Sequence, residues 1–158
     1  DKYNGFNLVF GNNSECFHFN SADQSYKILW DRSQKKQKIY GLSNASLDSN
    51  WPKVIHGKKD FETILKKYSG LDLKHEFLWN EFKLAMQNKD KFNFAKLPIT
   101  GIGEELEIFL SSRFIVNEKY GTRSTLFFLF KEEQSNFFEV TYDPKGHELL
   151  EKNINLTH

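Results

Sequence analysis

The sequence predicts an α+β fold, because strand patterns come first, helical patterns occupy the middle and strand patterns return at the end. Apolar residues alternate within residues 6–42 and again within 124–142, whereas they recur at helical spacing between those ranges. This segregation is typical of helices that cover antiparallel sheets. The 158 residues, 39% apolar and 27% charged, suit one globular domain.

An antiparallel meander of four strands is expected at the start of the chain. Turn-forming residues at 11–14 and 21–24 separate the first three strands. A short fourth strand is expected at 38–42, where an extended run ends. The alternating apolar residues of the first three strands are Phe6, Leu8, Phe10, Phe17, Phe19, Tyr26, Ile28 and Trp30.

Three helices are expected in the middle of the chain. The first follows Pro52, whose φ angle suits a first helical position, and it ends at Ser69 and Gly70. The second is expected at 74–88. The third is expected at 104–110, where an acidic first turn suits the helix dipole.

The final part of the chain predicts a hairpin followed by an irregular tail. Residues 124–131 are apolar on both faces, which predicts a strand covered on both sides. Residues 132–135 are expected to form the hairpin loop, and 136–142 the partner strand. The polar tail after residue 142 is expected to fray, with one helical turn at 148–152.

The loop between the first strands and the first helix, residues 41–53, is the best candidate for function. Gly41 permits backbone angles that a Cβ would forbid. Ser43, Asn44 and Asp48 can each bond their own backbone in a turn or cap. Loops of this kind carry function more often than cores do, so this central loop is a candidate site.

Composition excludes several classes of function. A net charge of +1 gives no reason to expect nucleic acid as a partner. No apolar run approaches the ~20 residues of a transmembrane span. A single cysteine, Cys16, cannot form an internal disulfide, which favours a reducing compartment, and it carries no nucleophile signature. The five histidines are scattered without metal-ligand spacing, so no metal site and no catalytic residue is predicted.

Four motifs, in order along the chain, resemble those of the NRDE proteins, the transport-and-Golgi-organisation-2 family. They are GFNL at 5–8, GLSN with LD and WPK at 41–53, LPITG with LSSRFI at 97–115, and YGTR at 120–123. Within them, we interpret seven positions as structural: Gly41, Asp48, Trp51, Pro52, Lys53, Tyr120 and Gly121.

The resemblance implies an architecture that the sequence pattern alone does not. The family is thought to be similar to the N-terminal-nucleophile hydrolases, a four-layer αββα sandwich of antiparallel sheets with helices on one face of each. The family's Asn-Arg-Asp-Glu segment and N-terminal cysteine have no counterpart in residues 1–158. We therefore expect this chain to be the C-terminal portion of one family domain, with an upstream segment of the same protein as its partner.

The resemblance also implies the function. A non-enzymatic protein that binds and traffics haem, or a similar small amphipathic anionic metabolite, is preferred. Haem would then be cargo, with no cofactor built in. The expected location is the cytoplasm, with mitochondrial or Golgi association as alternatives.

Three other functions stay open at this point. The chain could bind acyl-coenzyme A, or it could belong to an amidohydrolase whose cysteine nucleophile lies upstream. It could also be an interaction protein of secretory organisation that binds no small ligand.

Five residues are candidate ligand contacts under this resemblance. Ser43 and Asn44 lie on the central loop, and Thr122 and Arg123 precede the strand that is apolar on both faces. His56 is the best available histidine for axial ligation of haem iron. For Arg123, a guanidinium tied to backbone carbonyls and a carboxylate is the preferred alternative to ligand contact.

Overall fold

A computed structural model describes residues 5–12, 14–33, 38–71, 75–130 and 133–157. The chain divides into two compact units, Asp1–Ser49 and Asn50–His158. The described residues form two three-stranded antiparallel sheets, one in each unit, and three α-helices in the second unit. The predicted α+β class is confirmed, whereas the four-layer sandwich stays a prediction.

The first unit is built on the meander that the sequence predicts. Its strands are β1 (Asn7–Gly11), β2 (Glu15–Asn20) and β3 (Ser25–Asp31), in the spatial order β1-β2-β3. The register places Phe10 opposite Phe17 and Phe19 opposite Tyr26, so the aromatic residues share one face of this sheet.

The predicted fourth strand at 38–42 is wrong. Those residues are irregular, and the central loop closes on itself instead. The backbone N–H of Gly41 donates to Asp48 Oδ1 at 2.8 Å. The N–H of Asp48 donates to the carbonyl of Gly41, also at 2.8 Å. Because these bonds use both backbone polar groups of Gly41, that residue has none left for a strand ladder.

The helices of the second unit begin and end close to the predicted residues. The chain reverses after the first helix with Gly70 at φ +78°, as expected of a helix C-terminus that ends in glycine. The helices are α1 (Pro52–Lys67), α2 (His75–Met86) and α3 (Glu104–Phe109), and a single 3₁₀ turn spans Phe94–Lys96.

The second sheet contains one strand more than the sequence predicts. Its strands are β4 (Ser124–Phe130), β5 (Gln134–Tyr142) and β6 (Glu148–Thr157), in the order β4-β5-β6. The predicted hairpin of β4 and β5 is confirmed, but the loop predicted at 132–135 is wrong at Gln134 and Ser135, which belong to β5, and residue 132 lies outside the described residues. The fraying tail with a helical turn at 148–152 is wrong, because those residues extend into β6 and pair with β5 along its whole length.

A turn after β5 explains how the tail becomes a strand. One oxygen of the Asp143 carboxylate accepts the backbone N–H groups of Lys145 and His147, each at 2.8 Å. Gly146 takes φ +81°, a conformation that side chains with a Cβ rarely adopt. The reversal sets the polar residues of β6 beside β5, and the ladder then satisfies backbone groups that a frayed tail would leave to water.

An aromatic core fills the space between α2 and one face of the second sheet. The ring of Trp79 stacks on those of Phe138 and Phe127, with centroids 5.7 and 6.2 Å apart. Its indole N–H donates to Glu151 Oε1 at 2.8 Å, so the polar end of this buried side chain is satisfied. The buried core residues are Trp79, Phe114, Phe138, Val140 and Tyr142.

The other face of the second sheet is apolar and open in the described part of the chain. The side chains of Leu126, Phe128 and Phe130 are 57%, 43% and 54% exposed. Ile154 and Leu156 of β6 are exposed on the same face. Within the described residues only one face of β4 is covered, so cover on both sides depends on the expected upstream segment. That an upstream segment covers this open face stays a prediction.

Candidate functional site

Three segments of the first unit line one open cleft of about 770 Å³. The start of β1 contributes residues 5–7. The end of β2 and the following turn contribute Asn20 and residues 22–23. The central loop contributes residues 42–46. Two of the motifs recognised in the sequence, GFNL and GLSN, therefore meet at the same cleft.

Backbone hydrogen bonds fix the wall of the cleft that β1 and the β2–β3 turn form. The N–H of Phe6 donates to Ser21 Oγ at 2.7 Å, and the N–H of Ser21 donates to the carbonyl of Phe6 at 3.0 Å. The amide oxygen of Asn20 accepts the N–H of Ala22 at 2.8 Å. The Asn20–Ala22 bond is the local turn chemistry expected of asparagine, whereas the two Phe6–Ser21 bonds join the turn to the residue before β1.

The opposite wall is the central loop, which is held at its ends and in its middle. The bonds between Gly41 and Asp48 close its ends, and Asp48 takes a left-handed conformation with φ +57°. Aspartate is among the few residues that tolerate this region. In the middle, Asn7 Nδ2 donates to the carbonyl of Ala45 at 3.2 Å, which joins the loop to β1.

Amide and hydroxyl groups dominate the polar lining of the cleft. In the described part of the chain, no lysine or arginine lines it. Hydrogen bonds from the side chain and backbone of Ser25 lower the pKa of Asp23, so its carboxylate is ionised at neutral pH. A ligand would therefore be held by hydrogen bonds rather than by ion pairs to cations. The polar lining side chains are Asn7, Asn20, Asp23, Ser43, Asn44 and Ser46.

The predicted ligand contacts fall into two groups that belong to different units. Ser43 and Asn44 lie in the cleft of the first unit, and Asn44 is exposed there. His56, Thr122 and Arg123 belong to the second unit and are described separately.

The residues around Thr122 have a structural explanation. Thr122 Oγ1 accepts the N–H of Ile115 at 3.0 Å, and the N–H of Thr122 donates to the carbonyl of Ile115 at 2.8 Å. A Cβ on Gly121 would lie 2.8 Å from the same carbonyl oxygen, which explains the glycine. The ring of Tyr120 lies 6.4 Å from that of Phe109.

Arg123 and His56 are both exposed. Among the described residues, the guanidinium of Arg123 has no hydrogen-bond or ion-pair partner. The preferred interpretation of a guanidinium tied to carbonyls and a carboxylate is therefore wrong for those residues. The ring of His56 packs edge-on against Phe92 at 5.0 Å. No group of three or more histidine, cysteine, aspartate or glutamate side chains in the described ranges is placed to hold a metal ion.

The Trp-Pro-Lys motif starts α1 and anchors it to the segment after α3. Trp51 is buried and precedes Pro52 in the first turn. The ammonium of Lys53 lies over the Trp51 ring and donates to the carbonyl of Leu110 at 2.8 Å. Burial lowers the pKa of Lys53. These contacts agree with the structural interpretation of the motif.

Cys16 lies on β2 and is half-buried. Burial raises the pKa of its thiol, and a backbone hydrogen bond at Phe17 offsets this only in part. Because the thiolate is the reactive form, this environment opposes nucleophilic chemistry at Cys16.

The sequence did not predict the cleft-lining residues that lie outside the central loop. Asn7 belongs to the GFNL motif but is not among the predicted ligand contacts. Its position in a recognised motif was the available signal. Asn20 falls in the predicted second strand and Asp23 in the predicted turn after it, and nothing local distinguishes a strand end or turn that borders a cleft from one that does not.

Comparison with protein families identifies this chain. The family model described as Transport and Golgi organisation 2 matches residues 1–144. The chain belongs to the transport and Golgi organisation 2 family. No curated protein matched the sequence.

All three segments that line the cleft fall within the range matched to the transport and Golgi organisation 2 family, whereas β6 lies beyond it. Among the described residues, no helix combines the length and the apolar character that a membrane crossing requires.

Proposed function

We propose that this member of the transport and Golgi organisation 2 family binds and carries a small amphipathic metabolite, haem or a similar anionic one, in the cleft of its first unit. The observation that carries the proposal is the convergence of the GFNL and GLSN motifs on one cleft. Its volume of about 770 Å³ lies within the range typical of small-molecule sites. Haem in this proposal is cargo.

The lining suits a ligand with an apolar body and polar groups. Phe6 and Leu42 line the cleft and have exposed side chains that can make apolar contacts with the ligand. Asn44 lines the cleft and has no hydrogen-bond partner among the described residues, so its amide can donate to an oxygen of the ligand. The hydroxyl of Ser43 offers a second donor. Such neutral donors can bind a carboxylate, and because the ionised Asp23 lies in the turn after β2, the acidic groups of the ligand would face the central loop.

A haemin titration followed by the Soret band tests the proposal. We expect saturable binding by the unaltered chain and about tenfold weaker binding by Asn44→Ala, the loss typical of one hydrogen bond. Asn50→Ala is the matched control, because Asn50 is an exposed amide outside the cleft. Equal affinity of the two variants would contradict a site at Asn44, and absence of saturable binding would contradict haemin as ligand.

Acyl-coenzyme A is the second ligand to titrate in the same way. Its acyl chain matches the apolar residues of the cleft, and its phosphates would rely on the same neutral donors. Binding of acyl-coenzyme A that weakens in Asn44→Ala, together with no binding of haemin, would change the cargo and keep the site. Failure of both ligands would favour the interaction protein without a small ligand.

Amide hydrolysis is a second candidate function, favoured by the three amide side chains in the cleft. Asn7, Asn20 and Asn44 carry N–H donors of the kind that stabilise an oxyanion. Cys16 is an unsuitable nucleophile, so the reaction would depend on the cysteine expected upstream. With the full-length protein and simple amides as substrates, Asn44→Ala should lower kcat by about 10²–10³-fold if Asn44 donates to the oxyanion. An unchanged kcat would exclude that role.

A further inference from the structure

We propose that His18 is a positioning residue of the cleft, acting through Asn7 on the central loop. The inference rests on the proposed function only in treating this cleft as the ligand site. It gives a role to one of the five scattered histidines from which the sequence predicts no metal site.

The geometry begins with a cross-strand contact in the first sheet. His18 on β2 is 3% exposed, although imidazole is a polar group. It pairs directly with Val9, so Asn7 lies two residues away along β1 on the same face. The two side chains meet there, with His18 Nε2 at 2.9 Å from Asn7 Oδ1.

The second contact fixes which way the Asn7 amide points. Its Nδ2 donates to the carbonyl of Ala45, and a carbonyl oxygen can only accept. The amide oxygen must therefore be the atom that faces His18. Because that oxygen also only accepts, His18 Nε2 must carry a proton. The relay from His18 through Asn7 to Ala45 thus requires a proton on Nε2, which among the two neutral tautomers is the Nε2–H form.

This relay crosses from one wall of the cleft to the other. Asn7 and Ala45 both line the cleft, and the hydrogen bond from the Asn7 amide to the Ala45 carbonyl joins them. The buried ring holds the amide in one orientation, which leaves the second Nδ2 proton for a ligand acceptor. Without His18 the amide can rotate and release Ala45, and the bonds between Gly41 and Asp48 that close the ends of the loop then open more often.

The first test measures the tautomer in the unaltered chain. Long-range ¹H–¹⁵N correlation spectra of the His18 ring, recorded after titration to the neutral form, should show the proton on Nε2. A proton on Nδ1 would overturn the proposal, because the Asn7 amide would then have to be reversed and could not donate to Ala45. The measurement needs no variant and no ligand.

The second test uses amide hydrogen exchange in His18→Phe and His18→Gln. Phenylalanine keeps a planar ring without a donor, whereas glutamine keeps an N–H donor. We expect exchange of the Asp48 and Ser49 amides, which bond within the loop, to be about tenfold faster in His18→Phe and largely restored in His18→Gln. Amides of the β1–β3 ladder should change much less.

Two outcomes of the exchange measurement would overturn the proposal. Unchanged loop exchange in His18→Phe would mean that the ring does not hold the loop. An equal acceleration of the loop and the β1–β3 ladder would mean that His18 only stabilises the sheet. If His18→Phe does not fold, the tautomer measurement on the unaltered chain tests the proposal by itself. Failure of haemin to bind would contradict the proposed function, but it would not change the expected results of the tautomer and exchange measurements.

Discussion

The two units of this chain differ in how much apolar surface they bury in the described residues. In the second unit, a cluster of aromatic and aliphatic residues is buried between a helix and a sheet. In the described residues of the first unit, three side chains are buried, and two of them, His18 and Asn20, are polar. The third is Leu29. The described part of the second unit buries six polar side chains as well, but it contains the apolar cluster, whereas hydrogen bonds within turns and loops predominate in the described part of the first unit.

This difference explains why the cleft lies in the first unit. A buried aromatic side chain contributes several kcal/mol, whereas a hydrogen bond contributes about 1 kcal/mol net. Regions with few apolar contacts therefore open more easily, and binding loops are drawn from such regions. Substitutions in the second unit should mainly change stability, and substitutions around the cleft should mainly change the loop and the ligand.

The largest expected effect is the loss of Trp79. Trp79→Ala removes the stacked core ring and leaves Glu151 without its indole donor, so we expect the second unit to lose about 3–5 kcal/mol of unfolding free energy. Chemical denaturation measures it. Leu84→Ala is the matched control, because Leu84 lies on the same helix and is 64% exposed. A similar loss in both variants would contradict the importance of the core.

The next effect is expected at the closure of the central loop. Asp48→Ala removes the acceptor for the Gly41 N–H. It also places alanine, which tolerates the left-handed region less well than aspartate, at φ +57°. We therefore expect the free energy of unfolding to fall by about 1–2 kcal/mol. Asp48→Asn keeps an acceptor oxygen and tolerates that conformation, so its stability should be close to that of the unaltered chain. Thermal unfolding of the three proteins ranks them, and a loss in Asn equal to that in Ala would contradict this role.

A smaller effect is expected from pH at Glu151. Partial burial alone would raise the pKa of Glu151, but hydrogen bonds from Lys83 and Trp79 outweigh it and hold the pKa below the ordinary value of 4.5. The stabilisation is therefore complete above about pH 4.5 and is lost as the pH falls through the lower folded-state pKa. Because Glu151 is partly exposed, we expect only a few tenths of a kcal/mol.

Denaturation of the unaltered chain and Glu151→Gln across pH 7 to 3 isolates this contribution. The stability difference between them should shrink at acid pH, because glutamine keeps an acceptor but cannot titrate. A difference that stays constant with pH would show that the carboxylate charge contributes nothing.

The smallest effect is expected at Arg123. Because its guanidinium is exposed and has no partner among the described residues, Arg123→Lys should leave the melting temperature unchanged within the usual range for surface substitutions. A lower melting temperature would indicate that Arg123 makes a stabilising contact beyond those among the described residues. Weaker haemin binding at an unchanged melting temperature would instead make Arg123 a ligand contact.

The sequence predicted helices and strands correctly where the apolar residues follow one clear periodicity. It missed a strand where tertiary contacts determine the secondary structure. Alternating aromatic residues such as Phe17 and Phe19 identified the first sheet, and Pro52 and Gly70 placed the limits of α1. The strand β6 was missed because the adjacent Leu149 and Leu150 break the alternation in a mostly polar segment. Its pairing depends on the turn at Asp143, which local propensity does not reveal.

The candidate site was predictable only in part for the same reason. The composition of the central loop pointed to Ser43 and Asn44, which do line the cleft. Asn20 and Asp23 precede them by about twenty residues, and only folding brings the turn to the loop. The role of His18 depends on the orientation of one amide, which no sequence pattern encodes.

The open apolar face of the second sheet has a practical consequence for any titration with an amphipathic compound. Haemin is flat and largely apolar, so it would adsorb on the exposed side chains of Leu126, Phe128 and Phe130 as well as bind in the cleft. Exposed apolar patches of this kind bind apolar compounds without a defined site. The apparent stoichiometry would then exceed one, with a weak component that Asn44→Ala does not alter. Phe128→Ser should diminish that component alone, and the binding that persists is what the cleft contributes.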